Sequence, residues 1–353
     1  MISIINFTLL RHYIRNPKNM RLVAYQKYAF YIRKFGSSKK IKNLLLNRQE
    51  LKKGRTVLTS FPYKVTFDPS SLCNLQCKGC HTGIKHPEML KPQVLKFSDF
   101  KIMFDKIKDY VFSVSLYNWG EPFLNKDIFK MIAYATENNV GTTMHSNFNF
   151  FNEEMAEKLV RSGLTHLYLS IDGASQDTYS IYRINGDYNK VLKNVELLLR
   201  KKKELKKKFP IVTWKFLTFD HNRHEVNIAK ERSHILGVNN FETFEANPVL
   251  MDLRDEAKKY SENPRLFDTL SEKCSSLWSS IYVGPDGTLF PCSLAFRKEE
   301  SFGNLLISDF KDIWNNESYL NSRKLFTDPT NLSNVPMPCS TCKYFLRCKN
   351  KSR

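Results

Sequence analysis

The sequence lacks the features that mark secreted, membrane-spanning and repetitive proteins. Its 353 residues contain no low-complexity stretch, no internal repeat and no apolar run longer than a strand, whereas about 20 apolar residues are needed to span a bilayer. The N-terminus places a short apolar stretch before Arg11 and Arg15, the reverse of a secretory signal, and no small-residue cleavage site follows. We therefore expect a cytoplasmic protein with a sizeable core and two domains.

Acidic residues are almost missing from residues 1–60. Fourteen Lys and Arg stand there against a single acid, Glu50, with seven aromatic residues among them. A basic, aromatic and helical arm suits an anionic membrane surface, so a peripheral position at the inner membrane face is one interpretation. The alternatives are a solvated arm packed on the main domain and, least favoured, a nucleic-acid contact.

Strand and helix patterns alternate after Pro62, which predicts parallel β/α units with right-handed crossovers. Six units predict an α/β fold, a partial (β/α)6 TIM-like barrel, with its chemistry at the C-terminal ends of the strands. A helix is also predicted over Ser98–Tyr110 with Ser98 as its N-cap. The predicted strands are Tyr63–Phe67, Phe112–Tyr117, Val140–His145, His166–Ile171, Ile211–Phe219 and Phe241–Ala246.

The pattern changes near residue 247, where the strand–helix alternation stops and short apolar pieces with five cysteines follow. This composition predicts a small C-terminal domain held by metal rather than by a large core. The predicted organisation is therefore a basic helical extension over 1–60, a barrel over 61–247 and a small metal-binding domain over 248–353.

Three of the eight cysteines lie in one loop directly after the first predicted strand. Cys73, Cys77 and Cys80 are spaced by three and then two residues, and clustered cysteines in a reducing compartment more often bind metal than form disulfides. Three thiolates on a four-iron cluster would leave one iron open for another ligand. The alternatives are a chance cluster or a zinc site completed by His81 or a distal cysteine.

This loop resembles the CxxxCxxC motif of radical S-adenosylmethionine (SAM) enzymes, although Gly79 stands where an aromatic residue often precedes the last cysteine. The resemblance covers roughly residues 63–246. It implies a [4Fe–4S] cluster whose open iron chelates SAM, and an electron transfer that cleaves SAM to a 5′-deoxyadenosyl radical. That radical would abstract a substrate hydrogen. An external one-electron donor such as flavodoxin or ferredoxin is implied as well.

Polar residues after later strands match further cofactor contacts of that family. The segment Asn118-Trp-Gly-Glu-Pro122 resembles its GGEP motif, with Trp119 replacing the first glycine. The alternative explanations are ordinary turns or a helix cap at the strand ends and, for Arg183, a surface salt bridge. The resemblance implies SAM contacts from the GEP backbone, ribose contacts at the ends of strands three and four, and an arginine for the cofactor carboxylate. The residues concerned are Gly120, Glu121, Pro122, Asn147, Ser170, Asp172 and Arg183.

The remaining cysteines resemble the SPASM/Twitch extension that follows many radical SAM cores. Because too few cysteines are present for two auxiliary clusters, we predict one auxiliary [4Fe–4S] cluster, and a four-cysteine zinc site is the alternative. Cys348 either replaces one of the four ligands or is a free thiol. The predicted ligands are Cys274, Cys292, Cys339 and Cys342.

An auxiliary cluster favours an oxidation, because it can accept the second electron after hydrogen abstraction. The leading functional hypothesis is a radical SAM oxidoreductase acting on a small molecule or a sugar, which the basic arm suggests could be lipid-linked. The second is a maturase that modifies ribosomally made peptides. The third, from another class, is a non-enzymatic metal-binding module that docks on an anionic partner.

Overall fold

The computed structural model describes residues 29–87, 89, 91–246, 274–328, 338–340 and 342. The structural statements below concern these residues. Cys348, residues 1–28 of the basic arm and the predicted domain boundary near 247 lie outside them. Within the described part, no helix combines the length and the apolar character needed to cross a membrane.

The described part of the basic segment is helical and packs on the main body. Residues 29–35 are helical, and helix α1 (Ser38–Lys52) begins where the Ser37 hydroxyl accepts from the backbone N–H of Lys40. Lys40 is buried, and its ammonium donates to the carbonyls of Phe35 and Asn139 at 3.2 and 2.6 Å. The described part of the basic segment is therefore an integral part of the fold.

Six parallel strands follow in sequential order, each next to its predecessor in the sheet. Because short helical connections join them, they form the parallel β/α arrangement that the sequence predicts. The strands are β1 (Lys64–Phe67), β2 (Ser113–Leu116), β3 (Gly141–Ser146), β4 (His166–Ser170), β5 (Ile211–Thr218) and β6 (Asn240–Glu245). The helices are α2 (Phe97–Asp105), α3 (Ile128–Glu137), α4 (Glu153–Arg161), α5 (Gln176–Tyr182), α6 (Tyr188–Glu204) and α7 (Val226–Ile235), with 3₁₀ turns at Pro122–Leu124 and Arg223–Glu225.

One predicted helix start is wrong. Helix α2 begins at Phe97 with Lys96 in the N-cap position, and the Ser98 hydroxyl donates to Asp99 instead of capping the helix. The backbone N–H of Phe97 donates to the carboxylate of Asp127 at 3.3 Å. A side chain from the following helical unit thus takes the capping role that the local sequence assigned to Ser98.

The C-terminal segment extends the same sheet. Strand β7 pairs in parallel with β1, while β8 and β9 add antiparallel strands beyond it. Its elements are α8 (Ser276–Ser279), β7 (Ser280–Val283), β8 (Thr288–Phe290), a 3₁₀ turn at Lys298–Glu300, β9 (Gly303–Asn304), α9 (Phe310–Trp314) and α10 (Glu317–Thr327). Trp278 and Trp314 belong to the same apolar core as the barrel strands. This segment therefore shares a core with the barrel, whereas the sequence predicts a small domain held by metal rather than by a large core.

Candidate active site

The first cysteine loop follows β1 at the C-terminal edge of the sheet. Cys73, Cys77 and Cys80 share a small apolar cluster, and none of the three forms a disulfide. Gly79 has a φ of +71°, a left-handed conformation that glycine adopts without the cost of a Cβ. The glycine that departs from the family's aromatic preference is thus the residue that lets the loop turn toward Cys80.

Gly120 packs its backbone directly against this loop. A Cβ at this position would overlap the carbonyl oxygen of Ser70 and lie 2.6 Å from that of Leu72. The next backbone N–H, of Glu121, donates to the Leu72 carbonyl at 2.8 Å. The sequence predicts that Gly120 allows the backbone to approach the cofactor closely. In the described structure, Gly120 allows the end of β2 to approach the cysteine loop closely.

The Glu121 carboxylate reaches the end of β3. It accepts hydrogen bonds from the Ser146 hydroxyl at 2.7 Å, from the backbone N–H of Asn147 at 2.8 Å and from that of Phe123 at 3.2 Å. Burial raises the pKa of Glu121 to about 7, and these hydrogen bonds oppose the rise. Glu121 therefore ties the 3₁₀ turn that begins at Pro122 to the end of β3.

Asn147 reaches back to the cysteine loop from the end of β3. Its amide nitrogen lies 3.7 Å from Cys73 Sγ and donates to Asn74 Oδ1 at 3.0 Å. The backbone N–H of Leu75 also points at Cys73 Sγ, at 3.5 Å. Donors of this kind stabilise negative charge on sulfur, so the described contact of Asn147 is with the thiol.

Asp172 and Arg183 form a buried ion pair beside Cys77. Arg183 Nη2 and Nε lie 2.6 and 2.7 Å from Asp172 Oδ2, while Nη1 lies 3.6 Å from Cys77 Sγ. Asp172 Oδ1 also accepts from the backbone N–H of Leu217 at 2.7 Å. Their predicted roles toward the ribose and the cofactor carboxylate stay predictions, as does that of Ser170, half-buried at the end of β4.

The three thiols fit an iron–sulfur cluster by their chemistry and surroundings. They are close enough to interact electrostatically, and a guanidinium and an amide face two of them. Burial raises the pKa of Cys73 to about 12 and also raises that of Cys77, so metal binding would have to displace their protons. Among the residues described, no three His, Cys, Asp or Glu side chains converge on a single metal ion, and a cluster of several irons suits more widely spaced thiols.

The four predicted auxiliary ligands also lie within electrostatic range of one another. Cys274 and Cys342 interact, and Cys292 and Cys339 each interact with both of them. Burial raises the pKa of Cys292 to about 11 and raises those of Cys274 and Cys339. The structure thus brings together residues that are separated by up to 68 positions in the sequence.

Two aromatic residues of the site were missed by the sequence analysis. The rings of Tyr182 and Phe219 contact each other at a tilt of 43°, with 4.6 Å between their centroids, and both residues belong to the apolar cluster around Cys77. Tyr182 directly precedes Arg183, and its position next to a predicted site residue could have identified it. Phe219 follows β5, and nothing in its local sequence indicates that it meets a loop more than 130 residues earlier.

Comparisons with known proteins agree with this arrangement. The family model of the Radical SAM superfamily matches residues 68–224, and that of SPASM, an iron–sulfur cluster-binding domain, matches residues 274–343. AdoMet-dependent heme synthase of Methanosarcina barkeri is 22% identical over 336 residues, covering 82% of this chain and 91% of that protein. Mycofactocin maturase MftC of Mycolicibacterium smegmatis is 28% identical over 139 residues, 39% of this chain and 34% of the maturase.

The fold also matches solved structures. SuiB of Streptococcus suis bound to its precursor peptide SuiA has a TM-score of 0.60 at 17% identity, covering 87% of this chain and 74% of SuiB. At this identity the likeness concerns the fold. It confirms the predicted α/β class and the parallel sheet.

Proposed function

Since the chain belongs to the radical SAM superfamily and carries a SPASM iron–sulfur domain, we propose that it abstracts a hydrogen atom from a small molecule and oxidises it. On this proposal the substrate is a small molecule or a sugar. Membership of this family supports an enzyme over a non-enzymatic metal-binding module. Its cofactors are a [4Fe–4S] cluster, SAM and auxiliary iron–sulfur.

The first cysteine loop is the proposed centre of radical formation. Cys73, Cys77 and Cys80 would hold the cluster, which when bound supplies the electron that cleaves SAM to the 5′-deoxyadenosyl radical. Arg183 places positive charge 3.6 Å from Cys77 Sγ, and Asn147 places an amide 3.7 Å from Cys73 Sγ. Both contacts stabilise the negative charge of thiolates that lie among apolar side chains. They would also help to set the reduction potential of the iron–sulfur cluster.

The observation that carries the oxidation is the second set of thiols. Cys274, Cys292, Cys339 and Cys342 interact with one another, which supports a single auxiliary cluster with four protein ligands. An electron acceptor in this position permits a net two-electron oxidation after hydrogen abstraction. Cys348 lies outside the described residues, and its role as a replacement ligand remains a proposal.

The likenesses to SuiB and to mycofactocin maturase favour a second candidate function, the modification of a ribosomally made peptide. On that proposal the substrate would be a precursor peptide. The two candidates share the same radical chemistry and differ in what fills the substrate site.

Anaerobic reconstitution tests the shared chemistry. With dithionite as reductant, wild-type protein is expected to contain about eight irons for two [4Fe–4S] clusters and to form 5′-deoxyadenosine from SAM. The Cys77→Ala variant should lose 5′-deoxyadenosine formation, whereas Cys292→Ser should lose auxiliary iron and retain the first cluster. Absence of 5′-deoxyadenosine from reconstituted wild type would refute the proposal, and zinc in place of iron would refute the cluster assignment.

A further inference from the structure

A small cavity of about 30 Å³ lies where the radical SAM part meets the SPASM part. It opens between the C-terminal ends of β1, β2 and β7, and it contains none of the proposed metal ligands. Asp68 and Trp119 line it from one side and Pro285 and Phe296 from the other. Since one water needs roughly 10–15 Å³ measured in this way, the cavity has room for about two water-sized groups.

Asp68 presents an acceptor that no residue of the described structure satisfies. Its side chain is 4% exposed and its Oδ1 is buried without a hydrogen-bond partner. The backbone N–H groups of Trp119, Ser70 and Gly120 donate to the carboxylate, so they serve the other oxygen. Burial raises the pKa of Asp68 to about 7 against the effect of these amides. The backbone amides thus fix the carboxylate in place, and Oδ1 remains without a hydrogen-bond donor among the described residues.

Trp119 presents the complementary donor. Its Nε1 is buried and has no partner among the described residues. The ring is held edge-on by His81 at 4.8 Å and by Phe296 at 5.9 Å between centroids, so it is not free to turn its N–H to water. An unsatisfied buried donor costs roughly as much as the desolvation of an amide.

We propose that this cavity is a substrate subsite that binds a hydroxyl group, which donates to Asp68 Oδ1 and accepts from Trp119 Nε1. A hydroxyl performs both roles with one oxygen and fits the volume. An ammonium group would satisfy Asp68 but leave the indole N–H unmatched. A peptide amide could pair with both groups, but its nitrogen, carbon and oxygen with their substituents need more space than the two water-sized groups that the cavity holds. The inference rests on the proposed oxidation of a small hydroxylated molecule and names the part of the protein that selects it.

Equilibrium binding to the anaerobically reconstituted protein tests this subsite. The probes are glycerol, myo-inositol and methyl α-D-glucopyranoside, with glycylglycinamide as the amide probe, each up to about 100 mM. At least one polyol is expected to bind with a millimolar dissociation constant. Trp119→Phe, which keeps an aromatic ring but removes the five-membered ring with its N–H, should weaken that binding about tenfold.

Two further variants complete the design. Asp68→Ala removes the acceptor and should weaken polyol binding at least as much, although it also releases three backbone amides. The matched control is Asp109→Asn, an exposed carboxylate paired with Lys39, which should bind polyols as wild type does. The subsite is overturned if no polyol binds to wild type, if the amide probe binds and the polyols do not, or if Trp119→Phe binds them unchanged. Failure of wild type to form 5′-deoxyadenosine would defeat the proposed function separately and leave the binding result standing.

Discussion

Substitution of Gly120 by alanine tests whether the contact between the end of β2 and the cysteine loop holds the site together. The added Cβ would meet the carbonyl oxygens of Ser70 and Leu72, both of them backbone atoms that cannot rotate away. Overpacking in a close-packed region costs roughly 1–3 kcal/mol. We expect the upper end of that range, about 3 kcal/mol, because the whole loop would have to move.

The matched control is Gly237→Ala. Gly237 has a φ of +82° and nothing within 4 Å of its ideal Cβ, so alanine there should cost only the conformational strain of about 1 kcal/mol. Urea denaturation of the metal-free variants would give the two free energies of unfolding. Iron analysis after reconstitution should show a loss in Gly120→Ala and none in Gly237→Ala. Equal destabilisation of the two variants, or full iron content in Gly120→Ala, would refute the steric argument.

Two further predictions concern the turn after β2 and the basic arm. Because the pKa of Glu121 is raised from 4.5 to about 7, its stabilising contribution is complete below pH 4.5 and is lost as the pH rises to 7. The unfolding free energy of wild type relative to Glu121→Gln should therefore fall by about 3 kcal/mol over that interval in urea titrations, and a constant difference would contradict the burial argument. Deletion of residues 1–28 removes five cations and should reduce sedimentation with phosphatidylserine vesicles, whereas equal sedimentation would reject the membrane contact.

The limits of that deletion follow from the structure of α1. Asn43 donates to the Phe61 carbonyl at 3.0 Å, and Asn47 donates to the Trp278 carbonyl. The Glu50 carboxylate accepts from the backbone N–H groups of Thr59 and Ser60. Removing residues 1–60 would leave the carbonyls of Phe61 and Trp278 without these donors, and a loss of vesicle binding could then reflect misfolding. A deletion that ends at residue 28 keeps all of these contacts.

The strands and the positions of the cysteines could be predicted because both depend on short-range patterns. Alternating apolar runs predict both ends of β1 to β6 to within one residue, and the loop spacing alone singles out Cys73, Cys77 and Cys80. What the sequence could not indicate are contacts between the ends of neighbouring strands. The capping of α2 by Asp127 and the reach of Asn147 to Cys73 Sγ both join segments that lie far apart in the chain.

The same distinction applies to the parallel pairing of β7 with β1. The two strands lie more than 200 residues apart in the sequence, so no local pattern identifies their pairing. The Asp68 N–H donates to the Val283 carbonyl at 2.8 Å just beyond the paired residues. Composition suggests a domain held by metal, since five cysteines are present and the apolar pieces are short. The shared core arises because those short pieces pack on a sheet edge that already exists.

These contacts imply that the protein itself, rather than the metal, positions the first cysteine loop. The end of β2 packs on the loop through Gly120, the end of β3 reaches it through Asn147, and the Asp172–Arg183 pair reaches it from β4 and α5. Each contact joins protein groups and needs no iron, in contrast to small metal-dependent domains that unfold without their ion. Because a preformed loop pays little ordering entropy on metal binding, iron should assemble on a folded protein, and the geometry of the site is set by the ends of the strands.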